Sequence, residues 1–102
     1  KIKIIHTPGH APGAICLLAE NKLITGDTLF VNAIGRTDLA GGDSLKLFES
    51  LQKLKKLDDD IEVYPGHDYG NIPFSTIGGE KKTNPYFMAN TKEQFLNLLG
   101  VF

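Results

Sequence analysis

The 102-residue chain predicts an α/β fold, one mixed sheet backed by helices. Three observations carry that expectation. Short β-branched or apolar runs recur, each closed by a Pro-Gly or Gly-Asp turn; two of them lie close enough to form a hairpin; and two longer segments space their apolar residues as helices do.

The elements follow in order. Residues 1–5 alternate polar and apolar before becoming β-branched, which suits a strand running into the turn 7–13 with its two Pro-Gly pairs. Residues 13–19 and 22–25 are β-prone and separated only by Glu20-Asn21, so they predict a tight antiparallel hairpin whose second arm delivers Asp27 to its end. Residues 29–31 are expected to extend that arm, and residues 35–42 read as a loop by composition. Asp43 or Ser44 then caps a helix over 43–57. In it Leu45, Phe48, Leu51, Leu54 and Leu57 recur at spacing three, among Lys46, Glu49, Gln52, Lys53, Lys55 and Lys56. The lysines of its last turns suit the negative end of the helix dipole. Asp58-Asp59-Asp60 closes the helix as a solvated loop, because no EF-hand spacing follows it. A short strand over 61–64 ends at Pro65-Gly66-His67. Residues 68–90 hold Gly70, Pro73, Gly78, Gly79 and Pro85 and predict loops with one short helix between 74 and 82. Thr91-Lys92-Glu93-Gln94 has capping-box form and opens a helix that Gly100 stops.

Composition narrows the function classes. A net charge of -1 offers no basic excess for phosphate backbones, so nucleic acid is not an expected partner. No uninterrupted apolar run, that over residues 15–19 included, approaches the ~20 residues of a membrane helix. The one cysteine, Cys16, sits in that run as a small buried hydrophobe and permits no internal disulfide. The chain fits one domain, 1–102, and opens with neither an initiator Met nor a signal peptide, as a strand entered midway; a cytoplasmic location is the expectation.

The chemistry lies in three phrases: Thr7-Pro8-Gly9-His10-Ala11-Pro12-Gly13, Gly26-Asp27-Thr28-Leu29-Phe30 and Tyr64-Pro65-Gly66-His67. Each sets one metal-competent side chain on a sharp turn beside a strand-like run. Imidazole nitrogen and carboxylate oxygen are the donors that zinc, or iron in a similar site, accepts. The Pro-Gly pairs are stiff, then permissive, and let the backbone turn sharply close to an ion. His6 lies four residues before His10, but Pro8-Gly9 excludes a helix that would put the two on one face, so His6 is structural.

In order, spacing and flanking residues these phrases resemble the second half of the metallo-β-lactamase superfamily, and especially its glyoxalase-II-like hydrolases, over nearly the whole chain. The resemblance implies half of a four-layer αββα sandwich with a dinuclear metal site at the edge where the halves meet. It implies that His10 binds one metal, His67 the other, and that Asp27 bridges both and is the catalytic carboxylate. Two divalent ions would occupy the complete site, zinc first, with iron or manganese as alternatives. A shared water, acidified toward hydroxide, would attack a small acyl thioester such as a hydroxyacyl glutathione. Arg36 would hold a substrate carboxylate and Tyr69 would contact the thiol conjugate, each with a purely structural role as the alternative; Thr28 is expected to steady the Asp27 carboxylate. The stretches 76–81 and Asn84-Pro85 also match the family but suggest no chemistry. The His-x-His-x-Asp-His motif that opens the family is absent. The chain is thus expected to supply half a site, to be inactive by itself, and to need the missing N-terminal half or a second copy over its open sheet face. Two other readings stay open: a persulfide-dioxygenase-type iron oxygenase, and a noncatalytic interaction module.

Overall fold

A computed structural model describes residues 1–30, 33–35, 37, 41–66 and 75–100. Five strands form the main sheet: β1 (Ile2–His6), β2 (Ile15–Ala19), β3 (Lys22–Gly26), β6 (Glu62–Pro65) and β7 (Ser75–Thr76), in the spatial order β1-β2-β3-β6-β7. The first three are antiparallel neighbours, β3 and β6 run parallel, and β7 returns antiparallel to β6. The predicted hairpin is present, with Leu18 opposite Leu23 and Ala19 opposite Lys22.

Strand alternation divides the sheet into two faces. On the inner face Ile5 and Cys16 pair, as do Leu23 and Val63, and all four are buried. On the outer face Ile4, Leu17, Ile24 and Tyr64 form a row across four strands, in which Ile4 is 66% and Ile24 48% exposed. Ile2 and Ile15 share that face and are also exposed.

Helix α1 (Ser44–Leu54) belongs to the inner core through Leu47, Phe48, Leu51 and Leu54. Asp43 is its cap, accepting the Lys46 N–H at 3.1 Å. Two details of the expected helix change. Leu45 is exposed and Leu47 takes its place, because a 3.6-residue turn aligns 47, 48, 51 and 54 while a strict spacing of three drifts around the helix. The α-helix also ends at Leu54, with residues 55–57 in turn and bend, although Leu57 still packs on the core.

Three short elements were not expected. Leu29–Phe30 (β4) does not extend β3; it pairs with Ala33–Ile34 (β5) in a separate two-stranded sheet, since the turn at residues 27–28 redirects the chain. The short helix is present as α2 (Ile77–Thr83), preceded by β7 and followed by α3 (Pro85–Met88). The terminal helix α4 (Lys92–Leu99) has Thr91 as cap and Gly100 in left-handed conformation at its end. Its Phe95 meets Phe48 of α1 with ring centroids 5.5 Å apart, tilted by 54°, an aromatic geometry that joins α4 to the core. No helix among the described residues is long and apolar enough to cross a membrane.

Candidate metal centre

The turn after β1 is built by its own backbone. Thr7 N–H donates to the Ala14 carbonyl at 2.9 Å, and Ala14 N–H to that of Ala11 at 3.3 Å. His6 lies 2.9 Å through Nε2 from the Pro12 carbonyl; a carbonyl only accepts, so Nε2 carries the proton and the ring staples the turn. This is the structural role expected of His6. Gly9 has φ of 146°, and a Cβ there would overlap the backbone and Cβ of Leu47, so only glycine lets the turn lie against α1. Helix and turn are further joined by Asp43 N–H on the Gly9 carbonyl at 2.6 Å and Ser50 Oγ on the Pro8 carbonyl at 2.7 Å. His10 follows directly on this fixed frame.

The second turn leaves β3. Thr28 N–H closes it on the Thr25 carbonyl at 3.0 Å, while Thr25 Oγ1 donates to the Leu29 carbonyl at 2.6 Å. The two turns are tied to each other from beneath: buried Thr7 and Thr28 meet through their hydroxyls at 3.1 Å, and Cys16 Sγ lies 3.5 Å from Thr7 Oγ1. Burial pushes the Cys16 thiol above its ordinary pKa, against smaller opposing effects of the Thr7 and Thr28 hydroxyls. Cys16 is thus a packed, protonated thiol, as its apolar setting predicts.

Above this support His10 Nε2 and Asp27 Oδ2 converge to 3.8 Å, both partly exposed, with side chains 27% and 42% accessible. Two donors on one zinc ion at about 2.1 Å each lie about 3.4 Å apart across a tetrahedral angle. A closure of a few tenths of an ångström therefore lets one ion touch both, and the donor set fits a divalent metal. β6 ends beside them: Pro65 pairs with Gly26, and Gly66 N–H donates to the Gly26 carbonyl at 2.8 Å. The expected ligand His67 and the expected substrate contacts Arg36 and Tyr69 lie outside the described residues. Among the described residues no group of three or more metal-competent side chains is assembled; the convergence they show is that of His10 with Asp27. Thr7 escaped the sequence reading, since a single buried threonine has no spacing that marks it; its place just before Pro8 was the only signal.

Comparison with known proteins bears on this geometry. The metallo-beta-lactamase superfamily model matches residues 1–67. The probable polyketide biosynthesis zinc-dependent hydrolase BaeB of Bacillus velezensis is 37% identical over 97 residues, covering 94% of this chain and 43% of that protein. The hydroxyacylglutathione hydrolase GloC of Haemophilus influenzae is 44% identical over 87 residues, covering 82% of this chain and 39% of that protein. Among solved structures, ETHE1 from Myxococcus xanthus superposes with a TM-score of 0.90 at 36% identity, over 97% of this chain and 44% of that one. The chain spans less than half the length of these relatives. Its five-stranded mixed sheet with helices is the corresponding part of their fold. By its sequence match and its architecture alike, the chain belongs to the metallo-beta-lactamase superfamily.

Proposed function

We propose that the chain forms part of the active site of a metal-dependent hydrolase that cleaves small acyl thioesters, of the hydroxyacyl-glutathione kind, with water as nucleophile. The observation that carries this reading is the 3.8 Å convergence of His10 and Asp27 on two turns locked together from below. The likeness to GloC supports the substrate class, and that to BaeB supports zinc.

In this reading His10, Asp27 and His67 would hold the metal, with Asp27 shared between two ions. Bound divalent metal, zinc first and iron or manganese as alternatives, supplies carbonyl polarisation and lowers the pKa of bound water. The protein's own part is geometric. The His6 staple shapes the turn that carries His10, the Thr7–Thr28 bond keeps the two ligand turns together, Arg36 binds a carboxylate of the substrate, and Tyr69 flanks its thiol conjugate. The partner over the outer sheet face is the remaining half of the sandwich, with a second copy as the alternative; the exposed Ile2, Ile4, Ile15 and Ile24 support such a cover.

A second reading, the persulfide-dioxygenase-type iron oxygenase, is favoured by the TM-score of 0.90 to ETHE1. Elemental analysis of the intact protein, its Asp27→Ala variant and its His6→Ala variant tests the site. Metal is lost in the first variant and largely kept in the second, which loosens the His10 turn but removes no donor; equal loss in both sinks the ligand assignment. Zinc with thioester turnover supports the hydrolase, whereas iron with persulfide-dependent oxygen uptake transfers the assignment to the oxygenase.

A further inference from the structure

The described residues bury one carboxylate, Glu80, which is 1% exposed and belongs to a stretch, 76–81, with no chemistry assigned to it. It accepts from Ser75 Oγ at 2.6 Å and from Asn84 Nδ2 at 2.8 Å. Asn84, itself fully buried, uses its whole side-chain capacity. Its Oδ1 accepts the N–H groups of Tyr86 and Phe87 at 3.1 and 3.3 Å, and its Nδ2 donates both to Glu80 and, at 3.0 Å, to the Ala33 carbonyl. Two accepted bonds at one atom and two donated at the other fix the orientation of the amide.

Ala33 begins β5, and β5 leads straight back to the ligand turns. Phe30 pairs with Ala33, Leu29 with Ile34, and Gly35 N–H continues the ladder to the Thr28 carbonyl at 3.2 Å. Gly35 is then pressed between the two candidate ligands: a Cβ there would overlap the Asp27 carbonyl and lie 3.1 Å from His10 Cβ. The arm 33–35 is thus a wedge against both turns, and the amide of Asn84 holds its start.

We propose that Glu80 and Asn84 are positioning residues of the metal centre, acting through the Ala33 carbonyl to hold Gly35 against His10 and Asp27. The proposal rests on the metal reading of that pair. It goes beyond it by assigning a role to two groups that, among the described residues, reach the centre through backbone. The buried carboxylate has a matching purpose: by taking one N–H of the Asn84 amide, it leaves the other aimed at Ala33.

The test is made on the intact protein with two readouts, amide hydrogen exchange in the metal-free form and zinc affinity by competition with a chromogenic chelator. Asn84→Asp keeps the oxygen that caps α3 and removes both amide donors. It is expected to speed exchange at Gly35 at least about tenfold relative to Leu18 in the β2–β3 hairpin, and to weaken zinc binding about tenfold, the scale of losses when groups supporting a ligand are removed. Glu80→Ala does the same, while Glu80→Gln, which can still accept from Asn84, keeps both near wild type. Phe95→Leu, in the remote α4 contact, lowers Tm and moves neither. An Asn84→Asp protein with reduced Tm but wild-type Gly35 exchange and zinc affinity overturns the proposal. Where that variant does not fold, Ser75→Ala removes only one hydroxyl from Glu80 and gives the same comparison at smaller amplitude. A wild-type protein that takes up no zinc overturns the metal reading instead, and the exchange rates then decide the anchoring by themselves.

Discussion

Cys16 illustrates how a residue beside a reactive centre is kept out of the chemistry. Its sulfur is enclosed with Thr7 and Thr28 beneath the ligand turns, and burial raises its pKa. The sign of the consequence follows. The unfolded thiol ionises from about pH 8.5 while the folded one holds its proton, so the unfolded state is favoured as pH rises through that range. Stability should therefore be full below pH 8 and decline on the alkaline side. Unfolding titrations with urea at several pH values check this: Cys16→Ala should flatten the alkaline decline, and an identical slope in the variant would place its cause elsewhere. Single residues of this kind were half legible. An apolar run around one cysteine foretold burial, but its contact with Thr7 spans 9 positions and the Thr7–Thr28 contact beside it spans 21, which no local pattern encodes.

At the scale of elements, the decisive contact is the first ligand turn against α1. Gly9 combines a left-handed φ with a backbone approach that leaves no room for a methyl group. Gly9→Ala should cost at least about 2 kcal/mol, since conformational strain and overpacking act together. Chemical denaturation measures it; a cost below about 0.5 kcal/mol would mean that α1 is free to retreat. The sequence marked this turn well because Pro-Gly is a strong local signal, and it marked α1 and α4 by their caps, Asp43 and Thr91. It did not mark β5, β7 or α3, and it read β4 as an extension of β3. Strands of two residues have no periodicity to read, and Asn84 caps α3 only once Glu80 and Ala33 have oriented its amide. The same reason hid the Glu80–Asn84 link: its meaning lies in a carbonyl 51 positions away.

For the whole molecule, the governing asymmetry is between the two faces of the sheet. One face is closed by α1 and the core; the other presents Ile4 and Ile24 in one cross-strand row, with Ile2 and Ile15 alongside. Such a patch invites association. The 102-residue chain taken alone should elute from size exclusion larger than a monomer, and Ile4→Lys with Ile24→Lys should return it to monomer mass without changing its circular dichroism. A wild-type monomer at high concentration would show that the face is tolerated in water. The sequence foretold this open face only through family likeness, because alternation alone does not say whether the second apolar row is covered.

The parallel pairing of β3 with β6 has a further consequence, in time rather than space. Thr25 and Tyr64, side by side at the ends of these strands, are 39 positions apart, whereas the β2–β3 hairpin closes locally. Loop-closure entropy delays such distant pairings. The hairpin can therefore carry Asp27 long before Pro65 and Gly66 arrive beside Gly26. Any binding that needs both strand ends becomes a signal that the chain has finished folding, and an ion that favours the completed arrangement would act as a latch on the slowest step of assembly.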